Sequence, residues 1–164
     1  MKIEISKLLT RPDYLLACGF GSGLVPRAPG TAGSALGLLL FIPFLSLSAF
    51  VQAGVITVGL LVGIYLSGRV ASELELKDPG MIVWDEFVGM WITMFLLPSL
   101  YWLPVAFVLF RLLDITKPWP VSWADRQLEG GLGIMLDDVI AGIMALICLQ
   151  ALNYAWLMVL TSKL

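Results

Sequence analysis

Three long stretches without a charged residue constrain this chain more than any other feature: positions 28–68, 87–110 and 139–162. A helix needs about 20 apolar residues to cross the hydrocarbon core of a bilayer, and each stretch is longer than that. The first can hold two such helices joined by a tight turn, with Gln52 near the turn; helices are expected over 33–47 and 50–68. In the second, Pro98 and Pro104 bracket 99–103, which reads as a break. The pattern there predicts either one kinked span or two short helices, 82–97 and 101–113, folded back as a hairpin. A last helix is predicted over 136–160. The whole chain is 59% hydrophobic and 13% charged, against about 45–50% and 25% in soluble domains. The expected fold is all-α: a single domain over 1–164, built as a compact membrane bundle of about five embedded helices.

The charges suggest which way the bundle faces. With the N-terminus inside and a hairpin at 82–113, the segments 1–27, 69–86 and 111–138 share the cytoplasmic side. They contain all of the ten Lys and Arg residues except Lys163, which is the positive-inside pattern. A single crossing would put Arg111, Lys117 and Arg126 outside, so the hairpin is the preferred reading. The first apolar stretch is short and runs into a glycine-rich segment, so no cleavable signal peptide is expected. Small residues at helical spacing, Gly59, Gly63 and Ser67, then Ala141, Gly142 and Ala145, predict close helix packing.

Several chemistries are closed to this chain. It has no histidine, which removes Ser-His-Asp triads, phosphohistidine intermediates and histidine-rich metal sites. The two cysteines, Cys18 and Cys148, lack zinc spacing and read as inert apolar thiols. A net charge of −2 leaves no broad basic surface for nucleic acid.

What needs explaining is where the few charges sit. Asp85-Glu86 lies inside I-V-W-D-E-F-V-G-M-W-I-T, and Asp137-Asp138 inside G-G-L-G-I-M-L-D-D-V-I-A-G-I-M. Each pair is followed by a glycine four residues after one of its acids, Gly89 and Gly142, where a missing side chain leaves room for a ligand or another helix. Carboxylates at a membrane helix end are costly unless paired, hydrated or coordinating a cation. Two such pairs brought together offer oxygen ligands alone, which suit Mg²⁺ or another hard cation. Helix N-terminal capping is the plainer explanation of each pair taken singly. A third cluster, F-R-L-L-D-I-T-K-P-W-P-V-S-W-A-D-R, puts Arg111 and Asp114 at a spacing that shares a helix face. Cations there could hold a phosphate, or simply anchor the chain beside Trp119 and Trp123 at the interface. Finally, G-F-G-S-G-L-V-P-R-A-P-G-T-A-G-S at 19–34 offers glycines and hydroxyls ahead of a helix. That is a potential phosphate nest, or a re-entrant connection; it is not a Walker A loop.

At these residues the sequence resembles the bacterial phosphatidylglycerophosphatase A family. The likeness rests on G-F-G-S-G-L-x-P-x-x-P-G-T-x-G-S at 19–34, I-V-W-D-E-F-x-G-M-W-I-T at 82–93 and F-R-x-x-D-x-x-K-P-W-P at 110–120. It continues through D-R at 125–126 and G-G-x-G-I-M-x-D-D-x-x-A-G at 130–142. The resemblance implies a Mg²⁺-dependent lipid phosphatase of the bacterial inner membrane, with its site on the cytoplasmic side. It would convert phosphatidylglycerophosphate to phosphatidylglycerol and phosphate.

Elimination agrees with that reading. The Cys-x5-Arg route fails, because Leu24 and Tyr154 stand where arginine is required. The aspartyl-phosphate pattern D-x-D-x-T/V and the CDP-alcohol phosphotransferase pattern are absent. Carboxylate-bound metal remains. Asp85, Glu86, Asp137 and Asp138 are assigned to metal and water activation; Arg111, Lys117, Arg126, Thr31 and Ser34 to the substrate phosphate. Asp114 and Asp125 are assigned to supporting positions around them. The competing readings are a small ion-coupled transporter subunit, which predicts acids near mid-membrane, and a purely structural membrane subunit.

Overall fold

The computed structural model describes residues 10–162, and every regular element among them is helical. In chain order these are α1 (Pro12–Ala17), α2 (Pro29–Phe41), α3 (Ala49–Leu74), α4 (Trp84–Thr93), α5 (Leu103–Thr116), α6 (Val121–Gln127) and α7 (Gly130–Thr161). Short 3₁₀ turns at Gly19–Leu24, Ile42–Phe44 and Leu100–Trp102 join them. The N-terminal lysines and Lys163, used above to orient the chain, lie outside the described residues.

Two helices, α3 and α7, are long and apolar enough to cross a membrane. Only 22% of the most apolar stretch of α3 is buried within the protein. It therefore does not behave as the core helix of a soluble domain, and its side chains, Phe50, Val58 and Leu61 among them, face outward. The other three expected spans are shorter: α2 has 13 residues, α4 has 10 and α5 has 14. At about 1.5 Å per residue, each falls short of the ~30 Å hydrocarbon core.

The 82–113 region is two helices rather than one bent span. α4 ends at Thr93, and α5 restarts at Leu103 with Pro104 in its first turn, where a missing N–H costs nothing. The chain doubles back, because a Cβ on Gly89 of α4 would lie 2.5 Å from the Phe110 ring of α5. α7 begins at Gly130 rather than at 136. Asp137 and Asp138 are consequently in its third turn, and the capping explanation of that pair falls away. Two short helices, α1 and α6, carried no periodic signal and were not anticipated.

Lipid tails are as apolar as leucine, so helices in a bilayer are held by close backbone approach and interhelical hydrogen bonds. Both are present. A Cβ on Gly142 of α7 would lie 2.5 Å from the Gly89 carbonyl oxygen, and one on Gly131 would lie 1.9 Å from the Ile64 carbonyl oxygen of α3. The buried indoles of α4 find acceptors on two neighbours: Trp84 Nε1 donates to the Gly59 carbonyl at 2.9 Å, and Trp91 Nε1 to the Gly37 carbonyl at 2.8 Å. At the periphery, Arg11 bridges Asp13 and Glu73, 2.7 Å to each, tying α1 to the end of α3. The Arg11 hydrogen bond pulls the Asp13 carboxyl down to about 2, against burial.

Candidate active site

The crossing at Gly89 and Gly142 fixes what lies one turn away on each helix. Asp85 and Glu86 are in the first turn of α4, and Asp138 is one turn before Gly142 on α7. One carboxylate oxygen from each of Asp85, Glu86 and Asp138 comes within 4.8 Å of the others. Asp85 Oδ1, Glu86 Oε2 and Asp138 Oδ2 are all buried without a hydrogen-bond partner in the protein. Asp114 of α5 borders the group through its ion pair with Arg111.

Magnitudes show what the cluster requires. Two unit negative charges at this range repel by roughly 3 kcal/mol at an effective dielectric of about 20. Three such pairs rival the whole stability of a small domain, about 5–15 kcal/mol. A proton or a cation must offset that cost. The donor set is oxygen alone, the carboxylates converge, and each has a buried oxygen without a partner in the protein. The residues therefore fit a hard divalent cation of the Mg²⁺ type.

Arg111 borders the carboxylates from α5. It is ion-paired with Asp114 and donates to Ser34 Oγ at 3.2 Å, while its buried Nε has no partner. Ser34 Oγ in turn donates to the Gly30 carbonyl at 2.8 Å. The first turn of α2 is pressed against this group. A Cβ on Gly30 would stand 2.2 Å from Glu86 Oε1 and 3.2 Å from both terminal nitrogens of Arg111. A side chain at position 30 would have to displace the Glu86 carboxylate and crowd the Arg111 guanidinium.

The remaining expected residues go elsewhere. Asp137 points away from Asp138 and accepts from Lys117 Nζ at 2.8 Å; Lys117 also pairs with Asp125. Burial disfavours the Lys117 ammonium, but the hydrogen bonds to Asp125 and Asp137 outweigh it and raise the pKa above the ordinary lysine value. Thr31 is half-buried in the first turn of α2, and Arg126 is exposed at the end of α6. The glycines at 19 and 23 do not form an open cradle. A Cβ on Gly19 would meet Val83 and Phe87, and one on Gly23 would meet the Met81 carbonyl oxygen at 2.0 Å, so that part of the segment packs against the approach to α4. Sequence reasoning passed over Gly30 and also Asp78. Burial pushes the Asp78 carboxyl up, with Lys117 opposing and Asp125 adding to the shift. Its only sequence signal is an acid placed directly before Pro79-Gly80.

Comparison with known proteins bears on this geometry. The sequence model of the phosphatidylglycerophosphatase A family matches residues 15–153. A phosphatidylglycerophosphatase A of Escherichia coli strain K12 is 44% identical over 154 residues, covering 90% of this chain and 87% of that protein. The Haemophilus influenzae protein of the same name is 46% identical over 154 residues, covering 92% and 93%. A Bacteroides thetaiotaomicron protein provisionally named phosphatidylinositol-3-phosphatase is 38% identical over 157 residues, covering 89% and 98%. No solved structure gives a significant match.

Proposed function

The chain belongs to the phosphatidylglycerophosphatase A family, and from that premise we propose that it hydrolyses phosphatidylglycerophosphate to phosphatidylglycerol and inorganic phosphate with the help of Mg²⁺. The observation that carries this reading is the convergence of three carboxylates, each with a buried oxygen that has no partner in the protein, beside an arginine with a spare donor. Asp85, Glu86 and Asp138 would hold the cation. A bound divalent ion supplies charge neutralisation for the phosphoryl group and a more acidic water.

The chain's own groups do the rest. Arg111 Nε donates to a phosphate oxygen, and Ser34 with Asp114 holds the guanidinium plane in place. A carboxylate of the cluster would take the proton of the attacking water and give it up to the leaving glycerol oxygen as the bond from that oxygen to phosphorus breaks. Lys117 holds Asp137 and Asp125 together beside the cluster and offsets part of their negative charge. Thr31 and Arg126 would complete the phosphate's surroundings at the rim. The protein would be multi-pass in the bacterial inner membrane, with this end of the bundle cytoplasmic, as the placement of Lys and Arg favours.

An ion-coupled carrier would want its acids near mid-membrane. Here Asp85 and Glu86 open α4, and Asp137 and Asp138 are in the first third of α7. The deciding measurement is phosphate release from phosphatidylglycerophosphate in mixed micelles, with phosphatidylinositol 3-phosphate as the comparison substrate. Release from the first that stops in excess chelator and returns with Mg²⁺ is expected. Undiminished release in chelator would remove the cation from the reading, and no release under any condition would remove the activity.

A further inference from the structure

α2 leaves the site at Gly30 and Ser34, whereas α5 arrives at it through Arg111, so the two helices run in opposite senses below the carboxylates. Between them opens an apolar groove of about 380 Å³, lined by Ala35, Leu38 and Leu39 of α2 and Leu103, Pro104 and Phe107 of α5. A water's share of liquid volume is about 30 Å³, so the groove has room for a chain of carbons. Its inner end adjoins the contact between Ser34 and Arg111. Ala35 follows Ser34, the residue that accepts from Arg111, and Phe107 is one helical turn before Arg111 on the same face. From that inner end the groove runs about 8 Å along α2 and about 12 Å along α5 by helix rise. Leu39, at the far end, is 60% exposed, so the groove is open sideways.

A larger apolar groove of about 580 Å³ lies on α3, with Val58 on one wall and Trp84 and Trp91 on the other. Neither groove is lined by a charged or hydroxyl side chain, and in the α3 groove both indole N–H groups are already committed to carbonyls of α3 and α2. The difference lies in what each groove leads to: the α2–α5 groove continues toward the contact of Arg111 with Ser34 between the same two helices, whereas Trp84 of the α3 groove adjoins the acidic Asp85. A basic group beyond the end of an apolar trough matches the charge and polarity of a phospholipid read from headgroup to tail. We propose that the α2–α5 groove seats one acyl chain of the phospholipid substrate, taken in sideways from the bilayer, with its phosphate end at Arg111.

This rests on the lipid phosphatase reading, so the experiment separates the two. Ala35→Phe fills the inner end of the groove, and Phe107→Trp narrows its middle. With dioleoyl phosphatidylglycerophosphate each is expected to lower kcat/KM about tenfold, mainly through KM. With the deacylated headgroup, which has no chain to seat, each is expected to stay within about twofold. Val58→Phe, in the α3 groove, should leave both substrates unchanged. Equal losses on both substrates, no loss on either, or the same chain-dependent loss from Val58→Phe would overturn the assignment. A second readout needs neither turnover nor a variant: a phosphatidylglycerophosphate with a photoreactive group mid-chain, added to the wild-type protein. Adducts on Leu38, Leu39 or Phe107 are expected, and adducts confined to α3 would refute the groove. If the wild type hydrolyses no lipid, the phosphatase reading fails while the adduct positions still decide the groove.

Discussion

Asp137 and Asp138 are consecutive on one helix, yet they belong to regions of opposite character. Asp138 faces Asp85 and Glu86 in a cluster where buried oxygens have no protein donor. Asp137 faces Lys117, which also holds Asp125, so that side is a clamp with its cation built in. In the clamp one lysine of the protein's own offsets part of the charge of two carboxylates. In the cluster the protein leaves negative charge to be compensated from outside, and the nearest cation, Arg111, is already shared with Asp114. Uncompensated charge next to a spare donor is what the proposed metal-assisted chemistry would need; a carboxylate pair held by its own lysine suits a supporting role beside it.

The largest expected difference is in catalysis. Asp138→Asn keeps the side-chain volume and removes one convergent charge, so kcat/KM should fall at least about a hundredfold, the scale of losing a preorganised electrostatic group. Asp137→Asn leaves Lys117 its partner Asp125 and should cost about tenfold or less. Equal losses, measured on folded protein at saturating Mg²⁺, would erase the distinction between the two regions.

Next comes the crossing that assembles the cluster. Gly142→Ala puts a methyl 2.5 Å from the Gly89 carbonyl oxygen, backbone that cannot swing aside. Overpacking of this kind costs about 1–3 kcal/mol. The variant should melt at a lower temperature and also lose activity, because separating α4 from α7 separates Asp85 and Glu86 from Asp138. A melting point and kcat/KM both equal to wild type would show that the close approach is unimportant.

The smallest effect belongs to the clamp. Lys117→Met preserves much of the stem's packing but strands Asp137, whose side chain is only 12% exposed. Lys117 and Asp125 are each about a third exposed, so solvent screens part of the loss and about 1 kcal/mol of destabilisation is expected. Adding Asp137→Asn to Lys117→Met should recover part of it. A cycle with no coupling between the two substitutions would make the clamp a bystander.

Much of this molecule was legible in its sequence. The uncharged stretches announced the helices, because a chain cannot place that many apolar residues in succession without burying them in lipid or in itself. Pro98 and Pro104 announced the break between α4 and α5, since proline offers no N–H and opposes the helical turn before it. Asp85, Glu86 and Asp138 stood out because charge is scarce here, and the motifs around them carried the family. Even Gly89 and Gly142 were visible as gaps one turn from an acid, although not as each other's partner. What only the tertiary structure decided is which neighbours each acid meets. Successive residues on a helix point about 100° apart, so the neighbours Asp137 and Asp138 must face different surroundings. Which of them meets a lysine and which meets two more carboxylates depends on how α7 crosses α4 and where the α5–α6 connection returns. That is a matter of contact between segments far apart in the chain, set by backbone approach at two glycines, and no local pattern encodes it.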